Sequence, residues 1–159
     1  MLIAFDDTYA RAILTWPRNR CELSFWASLD DRPDVSVFSD WHADEDVSAF
    51  VLLEERTPVA YGEIWREREE RSVELARILV SPTRRRCGIG SRLIRLLMRR
   101  GAFAELEAFW VRVVPENQAA LGCYASLGFV PASEPEQCDL NAGQPREYVW
   151  LSRPALLVD

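Results

Sequence analysis

The sequence contains no lysine, and all 19 of its basic residues are arginine. That absence removes Schiff-base catalysis and pyridoxal attachment, which need a lysine amine. It also removes the Walker phosphate loop, whose Gly-Lys-Ser/Thr step needs one. Histidine is confined to His42, and the four cysteines, Cys21, Cys87, Cys123 and Cys138, are scattered. Neither set has metal-ligand spacing, so no metal is expected. The cysteines fit reduced intracellular thiols better than a disulfide framework. No apolar run is long enough to span a bilayer, so no membrane partner is expected. Asp6 and Asp7 stand where a secretory leader carries basic and then apolar residues, which points to a cytoplasmic protein. A formal charge of −6 disfavours sequence-independent nucleic-acid binding.

What is present suits one folded domain over 1–159. The chain has 159 residues, 48% of them apolar, with six tryptophans and neither a repeat nor a linker. Its most informative stretch runs from Val80 to Ser91. The apolar run Ile78-Leu79-Val80 enters it, and a helix-patterned run from Ile89 to Arg100 leaves it. Between them lie Arg84, Arg85 and Arg86 and the glycines Gly88 and Gly90. Glycines permit close backbone approach, and a helix start presents free amides and the positive end of the dipole. Together they make an anion site, most often for phosphate. The alternative is a plain turn with a solvated basic patch. A dinucleotide fingerprint is excluded because its third glycine position holds Leu93.

In chain order, Leu2–Phe5 reads as a strand, Tyr9–Thr15 as a helix, and Asn19 as the cap of a helix through Ala27. Asp30 to Asp46 is acidic and irregular, either a solvated loop or an acceptor-facing loop that attracts cations. Ala49–Glu55 and Val59–Trp65 read as a hairpin turning at Arg56-Thr57-Pro58, and Ser72–Val80 as a third long strand. Alternation along that strand puts Glu74, Ala76, Ile78 and Val80 on one face. Phe109–Val114 reads as a strand, Asn117 as the cap of a helix through Leu127, and Phe129-Val130 and Glu147–Leu151 as the final strands.

Arg85-x-x-Gly88-x-Gly90, after a strand and opening a helix, resembles the signature of the GNAT superfamily of N-acetyltransferases. Asn117-x-x-Ala120, then Tyr124, then Gly128-Phe129 resembles that family's other block, in the right order and on the expected junction. The resemblance covers about Phe50 to Leu151. It implies a mixed α/β fold, a mostly antiparallel sheet splayed between two central strands and flanked by helices, with acetyl-coenzyme A entering the splay. By correspondence, Ile78, Leu79 and Val80 pair through their backbone with the pantetheine arm. Arg85 belongs to the phosphate signature, and amides of Arg86, Cys87, Gly88, Ile89, Gly90 and Ser91 face the pyrophosphate. Asn117 contacts the cofactor, and Tyr124 protonates the leaving thiolate; otherwise Tyr124 is a core aromatic.

The chemistry itself asks for little. An amine attacks a thioester only when unprotonated, so a carboxylate, or a water it holds, must take its proton. Glu74 is the leading candidate, since some histone-acetylating members carry a glutamate at the same distance from their glycines. Glu63 is the second, and for each the alternative is a solvent-facing residue. One departure is clear. Acetyltransferases of ribosomal-protein alanine termini carry a glutamate five residues before the asparagine, where this chain has Arg112. For the acceptor, Trp16, Trp26, Trp41 and Trp65 offer faces for a cationic amine, or else are core. His42 is given no role. The expected activity is acetyl transfer to a small-molecule or peptide amine, with a homodimer left open; the alternative is a non-catalytic acyl-coenzyme A binding module of the same fold.

Overall fold

The computed structural model describes residues 1–155. Seven strands form one sheet: β1 (Leu2–Ala4), β2 (Val47–Glu54), β3 (Thr57–Glu67), β4 (Ser72–Val80), β5 (Ala108–Val113), β6 (Val130–Pro131) and β7 (Val149–Pro154). Their order is β1-β2-β3-β4-β5-β7-β6. Every neighbouring pair is antiparallel except β4 and β5. The helices are α1 (Ala10–Leu14), α2 (Arg20–Ala27), α3 (Val37–Trp41), α4 (Ile89–Gly101), α5 (Gln118–Ser126) and α6 (Glu134–Asn141).

The sheet is covered on both faces. On one side α4 turns Ile89, Leu93, Ile94, Leu97 and Met98 inward, the three-and-four spacing of an amphipathic helix. They pack on Leu52, Ile64, Val73, Leu75 and Phe109. Leu93 and Leu97 are fully buried, and each contributes on the order of 1.5–3 kcal/mol by leaving water. The helix approaches β3 so closely that a Cβ on Gly62 would lie 2.6 Å from Ile78 Cδ1 and 2.8 Å from Leu97 Cδ1. Glycine there sets the depth of α4. On the other side α1, α2 and α3 bury Ile13, Leu23, Trp26 and Phe38 against Val51, Tyr61 and Leu79.

Two features of β4 make room for a ligand. First, β4 is bridged to β5 only over Ser72, Val73 and Glu74. Past Glu74 the two parallel strands part, which is the splay expected between central strands. Second, β4 carries a bulge. Between the pairs Glu63–Ala76 and Tyr61–Leu79, β3 spends one residue, Gly62, while β4 spends two, Arg77 and Ile78. Arg77 adopts φ +46°, a left-handed conformation that an L side chain rarely takes.

The bulge corrects the alternation read from the sequence. Arg77 reaches Glu63, and Leu79 joins the α1–α3 core, whereas Ile78 and Val80 pack on the α4 side. Glu74 therefore does not share a face with Ile78 and Val80, because the extra residue flips everything after it.

Other differences are smaller. The β2–β3 turn lies at Glu55-Arg56, both at positive φ, one step before the predicted turn. The acidic stretch contains the short helix α3. The sequence reading did not include α6, although Ser133 and Glu136 form a capping box at its start. No helix among the described residues is long and apolar enough to cross a membrane.

Candidate active site

A cleft of about 830 Å³ runs along the splayed part of β4 and the glycine loop. It gathers Ile78, Leu79, Val80, Arg85, Arg86, Gly88, Gly90, Ser91 and Asn117 from the residues predicted to hold the cofactor. Two predicted residues lie elsewhere by side chain. Cys87 is exposed, its Sγ 3.4 Å from the Arg85 carbonyl, and Ile89 is buried in the α4 core. Only their amides remain for a ligand. Gly88 precedes α4 at φ +75°, and no side chain caps that helix start. The first turn of α4 thus offers amides to the cleft together with the positive end of its dipole.

The three loop arginines divide their work. Arg84 pairs with Glu54, which also holds Arg92. Arg85 bonds the Val80 carbonyl at 3.2 Å, the Trp16 carbonyl at 3.1 Å and Glu22 at 2.8 Å. Burial opposes ionisation of Glu22, but bonds from Arg18 and Arg85 outweigh it and hold that carboxyl down at about 2. Arg85 is thereby a tie between the loop, β4 and α2. Arg86, exposed and at φ +58°, lines the cleft and has no protein partner among the described residues.

A second cavity, of about 270 Å³, shares Phe25, Trp26, Ile78 and Asn117 with the first. Asn117 stands between them as the cap of α5, accepting from the Ala120 amide. Trp26 Nε1–H donates to the Arg77 carbonyl at 2.7 Å, which pins α2 over the β4 bulge. Glu74 and Tyr124 both face this second cavity.

Glu74 accepts one hydrogen bond, from Arg112 Nε at 2.7 Å. Burial raises its pKa to about 6, against the pull of the Arg112 charge and hydrogen bond. Tyr124 comes from α5 across the splay and is 6% exposed, with its ring edge-on to Phe129. Burial, then the nearby Cys123 and Glu74, push its hydroxyl well above an ordinary phenol, so it stays a proton donor. No hydrogen bond to that hydroxyl is made by the described residues.

Glu63 is placed differently. It is fully buried and lines neither cavity. Tyr61 donates to it at 2.5 Å, Trp65 Nε1 at 2.7 Å and Arg77 Nη1 at 2.6 Å, with His42 Nε2 at 3.6 Å. Burial alone would raise its pKa; His42, Arg77, Tyr61 and Trp65 together overcome that and lower it. This geometry weighs against the second candidate base, because both its oxygens are engaged and it lines neither of the two cavities.

Sequence reasoning missed three parts of this site. His42, given no role, also bonds the Tyr61 hydroxyl at 3.0 Å. Arg77 and Arg112 both line the second cavity. The acidic residues between Asp30 and Asp46 do not line either cavity; Asp31 pairs with Arg20 and Asp46 with Arg68. Of the tryptophans, Trp16 is core, Trp26 walls both cavities and Trp65 walls the second. The missed signal was Arg112 itself, seen only as a departure from a pattern.

Residues 10–129 match the profile of the Acetyltransferase (GNAT) family. The chain belongs to that family. Solved structures of similar fold include the spermidine N-acetyltransferase of Vibrio cholerae in complex with CoA and spermine. That match has TM-score 0.77 at 18% identity, over 98% of this chain and 95% of the other. The ribosomal-protein-alanine N-acetyltransferase of Brucella melitensis matches with TM-score 0.71 at 16% identity, over 97% and 99% of the two chains. The ribosomal-protein-S18-alanine N-acetyltransferase of Escherichia coli matches with TM-score 0.67 at 20% identity, over 98% and 93%. At these identities the likeness is one of fold. A search of curated proteins finds no match. The splayed sheet, the glycine loop and the two adjoining cavities lie together along β4.

Proposed function

We propose that this chain transfers an acetyl group from acetyl-coenzyme A to an amine by direct attack on the thioester. The observation that carries this reading is that the two cavities adjoin, sharing Phe25, Trp26, Ile78 and Asn117, with Glu74 and Tyr124 together in the second. The cofactor's phosphates take the amides of the glycine loop and the Arg86 side chain. Its pantetheine arm runs along Ile78, Leu79 and Val80, where β4 lacks a neighbour on the β5 side.

The amine enters from the second cavity. Glu74, or a water it holds, takes the amine proton, and the nitrogen lone pair forms a bond to the acetyl carbon. The C–S bond then breaks, and the thiolate takes a proton from the Tyr124 hydroxyl. No covalent enzyme intermediate is needed. A base with a pKa of about 6 is largely ionised at neutral pH and still accepts a proton readily.

The test is acetyl-coenzyme A binding by calorimetry together with thiol release across amine classes. Binding with acceptor-dependent release is the expected result. Binding without release for any amine would support the non-catalytic binding module instead.

A further inference from the structure

We propose that the acceptor is an amine carrying a carboxylate, an amino-acid-like zwitterion, whose anionic end is received by Arg112 and Arg77. The inference rests on the acetyl-transfer reading above and adds the substrate class.

The second cavity is the acceptor's place in that reading, and its charged lining consists of Glu74, Arg77 and Arg112. Each cation has an acidic partner, Arg77 the buried Glu63 at 2.6 Å and Arg112 Glu74 at 2.7 Å, but Glu63 does not line the cavity. Both guanidinium groups line this one cavity and both approach Trp65, Arg77 at 5.0 Å and Arg112 at 5.1 Å from its ring centroid. Arg77 also stacks on Trp41 at 4.1 Å, and Arg112 on Trp150 at 5.2 Å and Tyr148 at 5.6 Å. Of the aromatic rings that line this cavity, Trp65 and Tyr148 thus already carry the protein's own arginines. A polyamine entering here would meet two guanidinium groups and a single carboxylate.

An anion would meet donors held ready. Arg112 uses Nε on Glu74 and Nη1 on Gln144 at 2.9 Å, and its Nη2 has no protein partner among the described residues. Arg77 uses Nη1 on Glu63, and its other guanidinium nitrogens are likewise unspent. Both side chains are mostly buried, at 18% and 23% exposure, so their charges are weakly screened. Stacking fixes each fork before the ligand arrives, which suits paired hydrogen bonds to a carboxylate.

The reaction supplies a second reason. When Glu74 takes the amine proton it becomes neutral, and Arg112 loses its counter-charge. A substrate carboxylate beside Arg112 supplies one at that moment. The overall charge of −6 opposes long-range attraction of an anion. Salt screens that field beyond roughly 10 Å, which leaves the choice to the local pair. The cavity of about 270 Å³ has room for a small molecule.

Thiol-release assays with acetyl-coenzyme A would compare each common L-amino acid with its carboxamide, and all of them with spermidine. The best free acid should exceed its amide in kcat/KM by about tenfold or more, and should exceed spermidine. Arg112→Gln should collapse the acid-to-amide ratio toward one, and Arg112→Lys should restore part of it. Thermal melts would show that both variants fold, and the wild-type ratio needs no variant. Turnover of amides or spermidine without preference for the acid would overturn this inference and leave acetyl transfer standing. Release with no amine at all would overturn both.

Discussion

Glu63 and Glu74 lie on adjacent antiparallel strands, Glu63 opposite Ala76 and Glu74 opposite Trp65. Both are buried, yet their acidities move in opposite directions, Glu63 down and Glu74 up to about 6. Burial acts on both in the same sense. What differs is the number of donors. Glu63 is surrounded by Tyr61, Trp65, Arg77 and His42, whereas Glu74 has Arg112 alone. A carboxylate enclosed by donors is held ionised and serves the fold. One with a single partner, beside a cavity, is left able to exchange a proton.

The comparison breaks most visibly in stability. Glu63, with its lowered pKa, contributes stability above its ordinary value of 4.5 that is lost as pH falls through its folded value. Glu74, raised to about 6, favours the fold in its protonated form, and that contribution is lost as pH rises past about 6. At pH 7, Glu63→Gln should therefore cost about 3–5 kcal/mol, because it breaks a buried network and leaves Arg77 without its counter-charge. Glu74→Gln should cost less, because the relief of a carboxylate whose ionised form the fold disfavours partly offsets leaving Arg112 without its counter-charge. Urea unfolding of both variants measures this, and equal losses would erase the distinction.

Next comes Tyr124→Phe, which keeps the ring and removes the proton. It should lower kcat by about 10- to 100-fold with a chemistry-limited acceptor while leaving the acetyl-coenzyme A dissociation constant within about twofold. An unchanged rate would make Tyr124 a packing residue and leave Glu74 as the sole proton-transfer group. The smallest effect sharpens the comparison from a distance. Gly88→Val places a β-branched residue at φ +75°, with no protein atom within 4 Å of its new Cβ. Backbone strain on the order of 1–2 kcal/mol moves the amides away from a phosphate, so cofactor affinity should fall about tenfold. Neither carboxylate should change its behaviour, and calorimetry checks the affinity.

Much of this frame was legible in the chain. Ser72–Val80, the Asn19 and Asn117 caps and the α4 face follow from alternation, capping chemistry and helical spacing, all local signals. The β4 bulge was not legible, because nothing about Arg77 marks it for positive φ. Tertiary partners impose it: Trp26 on its carbonyl and Glu63 on its side chain. The enclosure of Glu63 was hidden for the same reason, since His42 and Arg77 reach it from distant positions. The capping box at Ser133 was legible and overlooked. Arg85 was read toward the phosphates, whereas its side chain spends itself on Trp16, Glu22 and Val80.

The direct test of Glu74 as the base is the pH dependence of kcat/KM for the wild type and Glu74→Gln with one turned-over amine. The wild type should show a limb that rises with pH and levels near an apparent pKa of about 6, the value burial gives Glu74. In Glu74→Gln that limb should vanish, with the rate lower at neutral pH and climbing only as the free amine deprotonates. A limb near 6 that survives unchanged in Glu74→Gln would contradict the assignment.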